Sequence, residues 1–362
     1  MIREALALAL ERRDVDPPTM EGAMELILAG GATSAQIAAL AVALRMKGES
    51  VAEIAAAARV LRRHAATVRT PPGVVLDTCG TGGDGAGTLN VSTIAAIVVA
   101  ACGVRVAKHG NRAVSSRCGS ADLLEALGVR TDLPVAHQER LLAEVGLAFL
   151  FAPAHHPALR FAAPVRRELG VRTFFNLLGP LASPALASHQ LLGVYDPARV
   201  RQLAEVLASL GTRAAWVVCG AAAPEAAAAT GTPEAAAATG AVVSLDEVSP
   251  FGPTRVASLD ADGTVREFEV TPADFGLPPA PADALAGGDV AHNAELLRRL
   301  LAGEALASRG AVLVNAGAAL VVAGVASSPR EGAERAAEAI DSGRAREKLA
   351  AVLALAASTE AA

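Results

Sequence analysis

The sequence predicts an α/β protein in which a small all-α N-terminal subdomain precedes a larger α/β domain with a mostly parallel sheet. Three observations lead there. Residues 1 to about 70 carry apolar side chains at helical spacing, strand-like and helical runs alternate from Pro71 onward, and two early strand-like runs each deliver a polar, glycine-bearing loop.

Ile2 to Glu11, Met20 to Leu28, Ser34 to Met46 and Ser50 to Ala66 read as helices, separated by Asp16-Pro17-Pro18, Gly30-Gly31 and Lys47-Gly48. Ala35, Ala38, Ala39, Ala41 and Ala43 are small enough to let neighbouring helices approach closely. The expected boundaries are 1–70 for this subdomain and 71–362 for the α/β domain.

The α/β domain opens on Val74-Val75-Leu76, an apolar run suited to a buried strand, which after Asp77 breaks into Gly80-Thr81-Gly82-Gly83-Asp84-Gly85. Glycines permit positive φ and remove the side chains that would keep an anion from the amide N–H groups, so this loop suits a phosphate. Asn90, Ser92 and Thr93 stand at N-cap positions before the apolar segment Ile94 to Cys102, and a helix starting there directs its positive end at the loop. A second strand-like run, Val104 to Ala107, leads to Lys108-His109-Gly110-Asn111-Arg112 and on through Ser115-Ser116 to Ser120. In a doubly wound sheet such loops meet at the carboxyl edge, where together they would hold a polyphosphate.

Two familiar nucleotide patterns do not apply. Gly80, Gly82 and Gly85 match GxGxxG, but the loop runs on to Thr88 and the second strand ends in Lys108, with no acid there to hold a ribose. Neither Gly85 nor Gly87 is followed by Lys, which excludes a P-loop.

Further along, Leu147 to Phe151, Ala214 to Cys219 and Val265 to Val270 read as strands, against helical Pro134 to Glu144, Pro197 to Leu210 and Pro329 to Ala357. The stretch APEAAAATG at 223–231 recurs as TPEAAAATG at 232–240, a tandem repeat too short for a solenoid, so 221–241 reads as a low-complexity surface insertion.

Composition narrows the function. A net charge of −5 over 362 residues leaves no basic stripe for nucleic acid. No charge-free apolar run approaches the ~20 residues of a membrane span, and the N-terminus, with Glu4 and Glu11, lacks a signal peptide's apolar core, so a cytoplasmic protein is expected. Cys79, Cys102, Cys118 and Cys219 form no CxxC pair and read as reduced, mostly buried thiols.

The motifs GTGGD, NVST, KHGNRAVSS, GSADLLEALG, FLFAPAHHPALR, PVRRELGVRTFFNLLGPLASPA, LDE and GGDVAHNA occur in this order along most of the chain. In them the sequence closely resembles the anthranilate phosphoribosyltransferase family. The resemblance implies a fold of nucleoside phosphorylase/phosphoribosyltransferase type, return of part of 164–190 to the helical subdomain, and a homodimer formed through that subdomain. It implies transfer of phosphoribosyl from 5-phosphoribosyl-1-pyrophosphate to the amine of anthranilate, with release of pyrophosphate, in tryptophan biosynthesis. Gly80, Gly83, Asp84, Thr88, Asn90, Val91, Ser92 and Thr93 match the family's contacts to the phosphoribosyl substrate, as do Lys108, His109, Gly110, Asn111, Arg112, Ala113, Val114, Ser115, Ser116 and Ser120. Gly80, Asn111, His156 and Arg166 match its anthranilate contacts, and Ser92, Asp246 and Glu247 its Mg2+ contacts.

The residue types suit that chemistry. A diphosphate leaving group needs cations and dipoles where charge develops, which gives Lys108 an electrostatic role. The amine of an aniline is neutral at about pH 7, so no strong general base is needed. Arg166 offers the planar fork suited to a carboxylate, and the adjacent His155 and His156 without a third partner are weak evidence for a metal. Where the family has a short loop often starting His-Gly, this chain has Cys219-Gly220 and the insertion. A pyrimidine nucleoside phosphorylase would show STGG and a Lys before His-Ser, and a nucleic-acid holder of this fold would need a basic face.

Overall fold

The computed structural model describes residues 1–82, 89–113, 117–222 and 243–358. Helices α1 (Ile2–Leu10), α2 (Pro17–Leu28), α3 (Ser34–Lys47) and α4 (Val51–Arg63) come first. Their starts are chemically specified: Asp16 accepts from the Thr19 N–H ahead of Pro17, and Thr33 with Gln36 and Ser50 with Glu53 form capping boxes. Glu53 also accepts from the Val15 N–H at 2.7 Å and pairs with Lys47 at 3.0 Å, tying three of these segments together.

Strands β1 (Val75–Gly80), β2 (Arg105–Gly110), β3 (Leu147–Phe151), β4 (His189–Gly193) and β5 (Ala214–Ala222) are mutually parallel. Around them run α5 (Val91–Ala101), α6 (Ser120–Ala126), α7 (Val135–Arg140), α8 (Ala152–His155), α9 (Ala163–Leu169), α10 (Phe175–Leu181) and α11 (Arg199–Ser209). Then come β6 (Val243–Leu245), β7 (Thr254–Leu259) and β8 (Val265–Val270), followed by α12 (Val290–Leu301), α13 (Arg309–Val322), α14 (Pro329–Asp341) and α15 (Arg344–Ala357).

The sheet order is β3-β2-β1-β4-β5-β7-β8, with β6 also pairing β5 and the last three strands antiparallel additions. The chain winds outward from β1 through β2 to β3, then returns to place β4 on β1's other side. That reversal leaves a crevice at the carboxyl ends of β1 and β4, the switch point where ligands bind in open α/β sheets.

Each sheet face has its own core. One packs Val106, Leu191, Trp216 and Val218 against α5 and α12 to α15. The other packs Cys79, Leu192, Val217 and Ala257 together with α11, the four N-terminal helices and Phe174, Phe175 and Leu178 of the 174–178 segment. The helical bundle therefore sits beside the sheet end that carries the crevice. Among the described residues, no helix is long and apolar enough to cross a membrane.

Several elements differ from the sequence reading. Lys108, His109 and Gly110 complete β2 and Asp77 to Gly80 complete β1, because ladder hydrogen bonds carry both strands beyond their apolar runs. Asn90 stands at the N-cap of α5, but its side chain makes no cap bond, and Ser92 and Thr93 lie inside the first turn. The single run expected over 329–357 is broken by Gly343 at φ +81°, and 134–144 passes from α7 into a π-turn at Leu141–Val145. Strands β4 and β7 have little alternation to announce them: His189-Gln190 is polar, and β7 owes its place to pairing with β5 and β8.

The tandem repeat lies outside the described residues, but its flanks do not: β5 and β6 are antiparallel neighbours, in register with Ala222 opposite Val243. A two-residue turn suffices to close such a hairpin. Replacing 223–242 with Asn-Gly is therefore expected to leave the thermal midpoint within a few degrees of wild type, as read by circular dichroism, and failure to recover folded protein would contradict this.

Candidate active site

Gly80 ends β1, Gly193 ends β4, and the two are paired across the crevice. Neither tolerates a side chain. A Cβ at Gly193 would overlap the Asp246 backbone carbonyl, and one at Gly80 would overlap the Asp246 carboxylate. Their bare backbones let the segment after β6 cross the ends of both strands, and Asp246 Oδ2 accepts from the Gly82 N–H at 2.7 Å. Glu247 Oε1 accepts from the Ser92 N–H at 3.1 Å, at the start of α5. The following residues are fixed from behind: Asn315 on α13 bonds both the N–H and the C=O of Val248 at 2.9 Å, and the Ser249 N–H donates to Thr254 Oγ1 at 2.8 Å.

Lys108 brings the cation. It is 3% exposed, and Nζ donates to the Thr78 carbonyl at 2.5 Å and lies 3.4 Å from Ser92 Oγ. Next to it on β1, Asp77 is fully buried and accepts from the His109 N–H at 3.0 Å. Burial pushes the Asp77 carboxyl up to about 6, and the nearby Lys108 charge offsets part of that rise.

Around the second loop, Asn90 Nδ2 donates to the Cys118 carbonyl at 2.9 Å, while Asn293 on α12 lies 3.3 Å from Asn90 Oδ1 and accepts from the Gly288 N–H at 2.8 Å. Ser120 Oγ donates to the Asn111 carbonyl at 3.1 Å, and Asp122 accepts from the Ala113 and Gly119 N–H groups, both at 3.0 Å. Arg112 turns away to pair with Asp122 and Glu125 at 3.0 and 2.7 Å.

Arg166 on α9 stands apart on the bundle side, its guanidinium 5.9 Å from the Phe175 ring centroid. Among the described residues its guanidinium has no hydrogen bond or ion pair, and burial pulls its pKa below the usual value. The buried rings of His109 and His156 meet edge to face at 5.2 Å. Burial lowers both, His156 to about 4, so both are neutral at pH 7. His155 turns elsewhere, Nδ1 donating to the Ala66 carbonyl at 2.7 Å.

The crevice thus brings Gly80, Asn90, Ser92, Lys108, Asp246 and Glu247 together, with His109 and Gly110 at the end of β2 and Asn111 exposed just beyond it. Val91 is buried in the core and Thr93 Oγ1 has no partner. Gly83, Asp84, Thr88, Val114, Ser115 and Ser116 lie outside the described residues. Sequence reasoning missed Asp77, Gly193, Asn293 and Asn315. The first and third stand within or beside the quoted motifs, whereas Gly193 and Asn315 are recognisable only by what packs on them. Among the described residues no group of three or more His, Cys, Asp or Glu is arranged to hold a metal ion. Two carboxylates and a hydroxyl form an all-oxygen set that fits a hard divalent ion taking its remaining ligands from phosphates and water.

A crevice of this kind behind a helical bundle defines a class of transferase. The sequence model of the glycosyl transferase family's a/b domain matches residues 72–244 and 223–346, overlapping across the tandem repeat, and that of its helical bundle domain matches residues 3–65. The anthranilate phosphoribosyltransferase of Myxococcus xanthus is 51% identical over 352 residues, 97% of this chain and 98% of the relative, and that of Rhodospirillum rubrum is 49% identical over 98% and 95%. The crystal structure of the Thermus thermophilus enzyme superposes with a TM-score of 0.87 at 42% identity, covering 98% of this chain and 99% of that one. The Saccharomyces cerevisiae enzyme in complex with PRPP and Mg superposes with a TM-score of 0.83 at 27% identity, covering 98% and 97%. The chain belongs to the anthranilate phosphoribosyltransferase family.

Two outcomes follow from this geometry. Gly193→Ala, which forces Asp246 off the strand ends, is expected to lower kcat/KM at least tenfold while circular dichroism still reports a folded protein, and unchanged kinetics would dissociate Asp246 from the crevice. Asp77 holds a proton in the folded state up to about pH 6 but only to about 3.8 when exposed, so folding becomes less favourable as pH rises between those values. Relative to Asp77→Asn, wild-type stability in urea titrations is expected to fall by up to about 3 kcal/mol from pH 4 to 7. A pH-independent difference would contradict it.

Proposed function

We propose that the protein transfers the 5-phosphoribosyl group of 5-phosphoribosyl-1-pyrophosphate to the amine of anthranilate, releasing pyrophosphate, as a step of tryptophan biosynthesis. The observation that carries this reading is the pairing of a buried cation behind a glycine loop with a second, uncompensated guanidinium, Arg166, on the bundle side.

The diphosphate lies between the glycine loop, Asn90, Ser92 and the loop running from Lys108 to Ser120. Lys108 and the backbone N–H groups oppose the negative charge that grows as the C–O bond breaks. Mg2+, when bound, spreads that charge further, and Ser92, Asp246 and Glu247 would hold it. Anthranilate lies against Arg166, which takes its carboxylate, with Gly80, Asn111 and the neutral His156 beside it. The amine nitrogen forms the new bond to the sugar carbon and loses one proton as product forms. No side chain need remove that proton first, and burial makes the neutral His109 and His156 rings weak proton acceptors.

In this reading residues 1–70, joined by part of 164–190, form one domain that carries the acceptor, and 71–362 form the one that binds the phosphoribosyl donor. The exposed Leu10, Leu26 and Met46 of the bundle support a homodimer formed through it. The highly charged donor cannot cross a bilayer unaided, which supports a cytoplasmic location.

The decay of anthranilate fluorescence on mixing with donor and Mg2+ tests the reaction, and no decay would refute it. Arg166→Ala is expected to raise KM for anthranilate about 10- to 100-fold, the loss of roughly 1.5 to 3 kcal/mol of charge-assisted hydrogen bonding. An unchanged constant would remove Arg166 from the site. Asp246→Asn with Glu247→Gln is expected to shift the Mg2+ dependence of turnover to concentrations at least tenfold higher, and a wild-type Mg2+ curve would overturn the metal assignment.

A further inference from the structure

Beside Thr81, where Arg45 of α3 and Glu49 beyond it meet the end of β4 and the start of α10, lies a cavity of about 220 Å³. Arg45, Arg172, Thr173, Thr81 and Tyr195 are among its lining residues. It is separate from the acceptor site: its lining includes none of Asn111, His156, Arg166 and the Phe175 ring that Arg166 faces.

The charges around this cavity do not cancel. Of its two acids, Glu49 pairs with Arg199 at 2.6 Å, and Asp196 accepts from the Ala198 N–H at 3.0 Å and lies 3.9 Å from Arg199. Arg45 donates only to the Arg172 carbonyl, at 2.5 Å. The Arg172 guanidinium is stacked 4.3 Å from the Tyr195 ring centroid, and its buried Nη1 has no hydrogen-bond partner among the described residues. Two guanidinium groups therefore face the space with no carboxylate partner among the described residues. Thr173, 5% exposed, adds an Oγ1 without a partner among the described residues, as does Thr81. Arg45 is exposed at the mouth, but the buried Arg172 Nη1 and Thr173 Oγ1 are costly to leave unmet unless a ligand meets them.

We propose that this cavity is a second anion site, which takes a small oxyanion, a carboxylate or a phosphate, on Arg172, Arg45 and Thr173. The stacked guanidinium presents a planar fork, and Thr173 Oγ1 completes the donor set. The bound anion also meets Thr81, whose N–H is held by the Gly193 carbonyl at 2.9 Å and which stands between Gly80 and Gly82. The site is thus mechanically continuous with the glycine loop without being part of it.

The test is calorimetric titration of the full-length protein with inorganic phosphate and, separately, with succinate. The expected result is a saturable event with at least one of them that survives Lys108→Met and is weakened at least tenfold by both Arg172→Gln and Thr173→Val. The phosphate and succinate arms decide which oxyanion the site prefers. No saturable event with either, loss of binding in Lys108→Met, or binding indifferent to Arg172→Gln would each overturn the proposal. Should Arg172→Gln not fold, Arg45→Gln at the cavity mouth must show the same weakening, and wild-type binding there refutes the site.

Discussion

A lysine only 3% exposed cannot stay charged in a protein interior without partners, and the crevice is built around the partners of Lys108. The Thr78 carbonyl accepts a hydrogen bond from its Nζ, Ser92 Oγ lies within reach of another N–H, and the charge of buried Asp77 stands behind it. All three come from β1 or the helix that follows it, so the cation depends on the parallel register of β1 with β2 and on where α5 starts. Asp77 in turn holds the His109 N–H, which keeps the end of β2 in place. In the proposed reaction that buried charge is what the site offers to a diphosphate.

The second constraint is steric. Two strands that end side by side in glycine leave a flat ledge, and only such a ledge lets the Asp246 backbone pass close enough for its carboxylate to reach the Gly82 amide. The C-terminal half of the chain serves that placement: Asn315 clamps Val248, and Asn293 braces Asn90 across the crevice. Residues far apart in sequence thus fix two carboxylates against one loop. The helical bundle closes the other side and presents Arg166, a cation with no counter-charge among the described residues.

Much of this was legible before the fold was known. The glycine run that closes β1 and the Lys-His-Gly-Asn run at the end of β2 carry their chemistry in their residue types, and the helical bundle announces itself through apolar residues at helical spacing between Pro and Gly breaks. What escaped is what only three dimensions create. Asp77 and Lys108 look like loop residues because apolar runs stop before them, yet the ladder continues and buries both. Gly193 and Asn315 show no local pattern, since their roles consist of what another segment does against them. Arg112 reads as a phosphate ligand by its neighbours in sequence, while its guanidinium is held by Asp122 and Glu125 one turn into α6. The strands β4 and β7 were hidden for a related reason, being specified by their partners more than by their own alternation.

The claim on which this account rests is that a cation buried between β1 and β2 and an unpaired guanidinium on the bundle face two ends of one reaction. The most direct measurement is a crystal structure with 5-phosphoribosyl-1-pyrophosphate, Mg2+ and 4-fluoroanthranilate bound. The account predicts diphosphate against the glycine loop within reach of Lys108, with the aromatic carboxylate on Arg166 and the amine turned toward the ribose. Diphosphate bound away from the ends of β1 and β2, or an aromatic acid with no contact to Arg166, would contradict it.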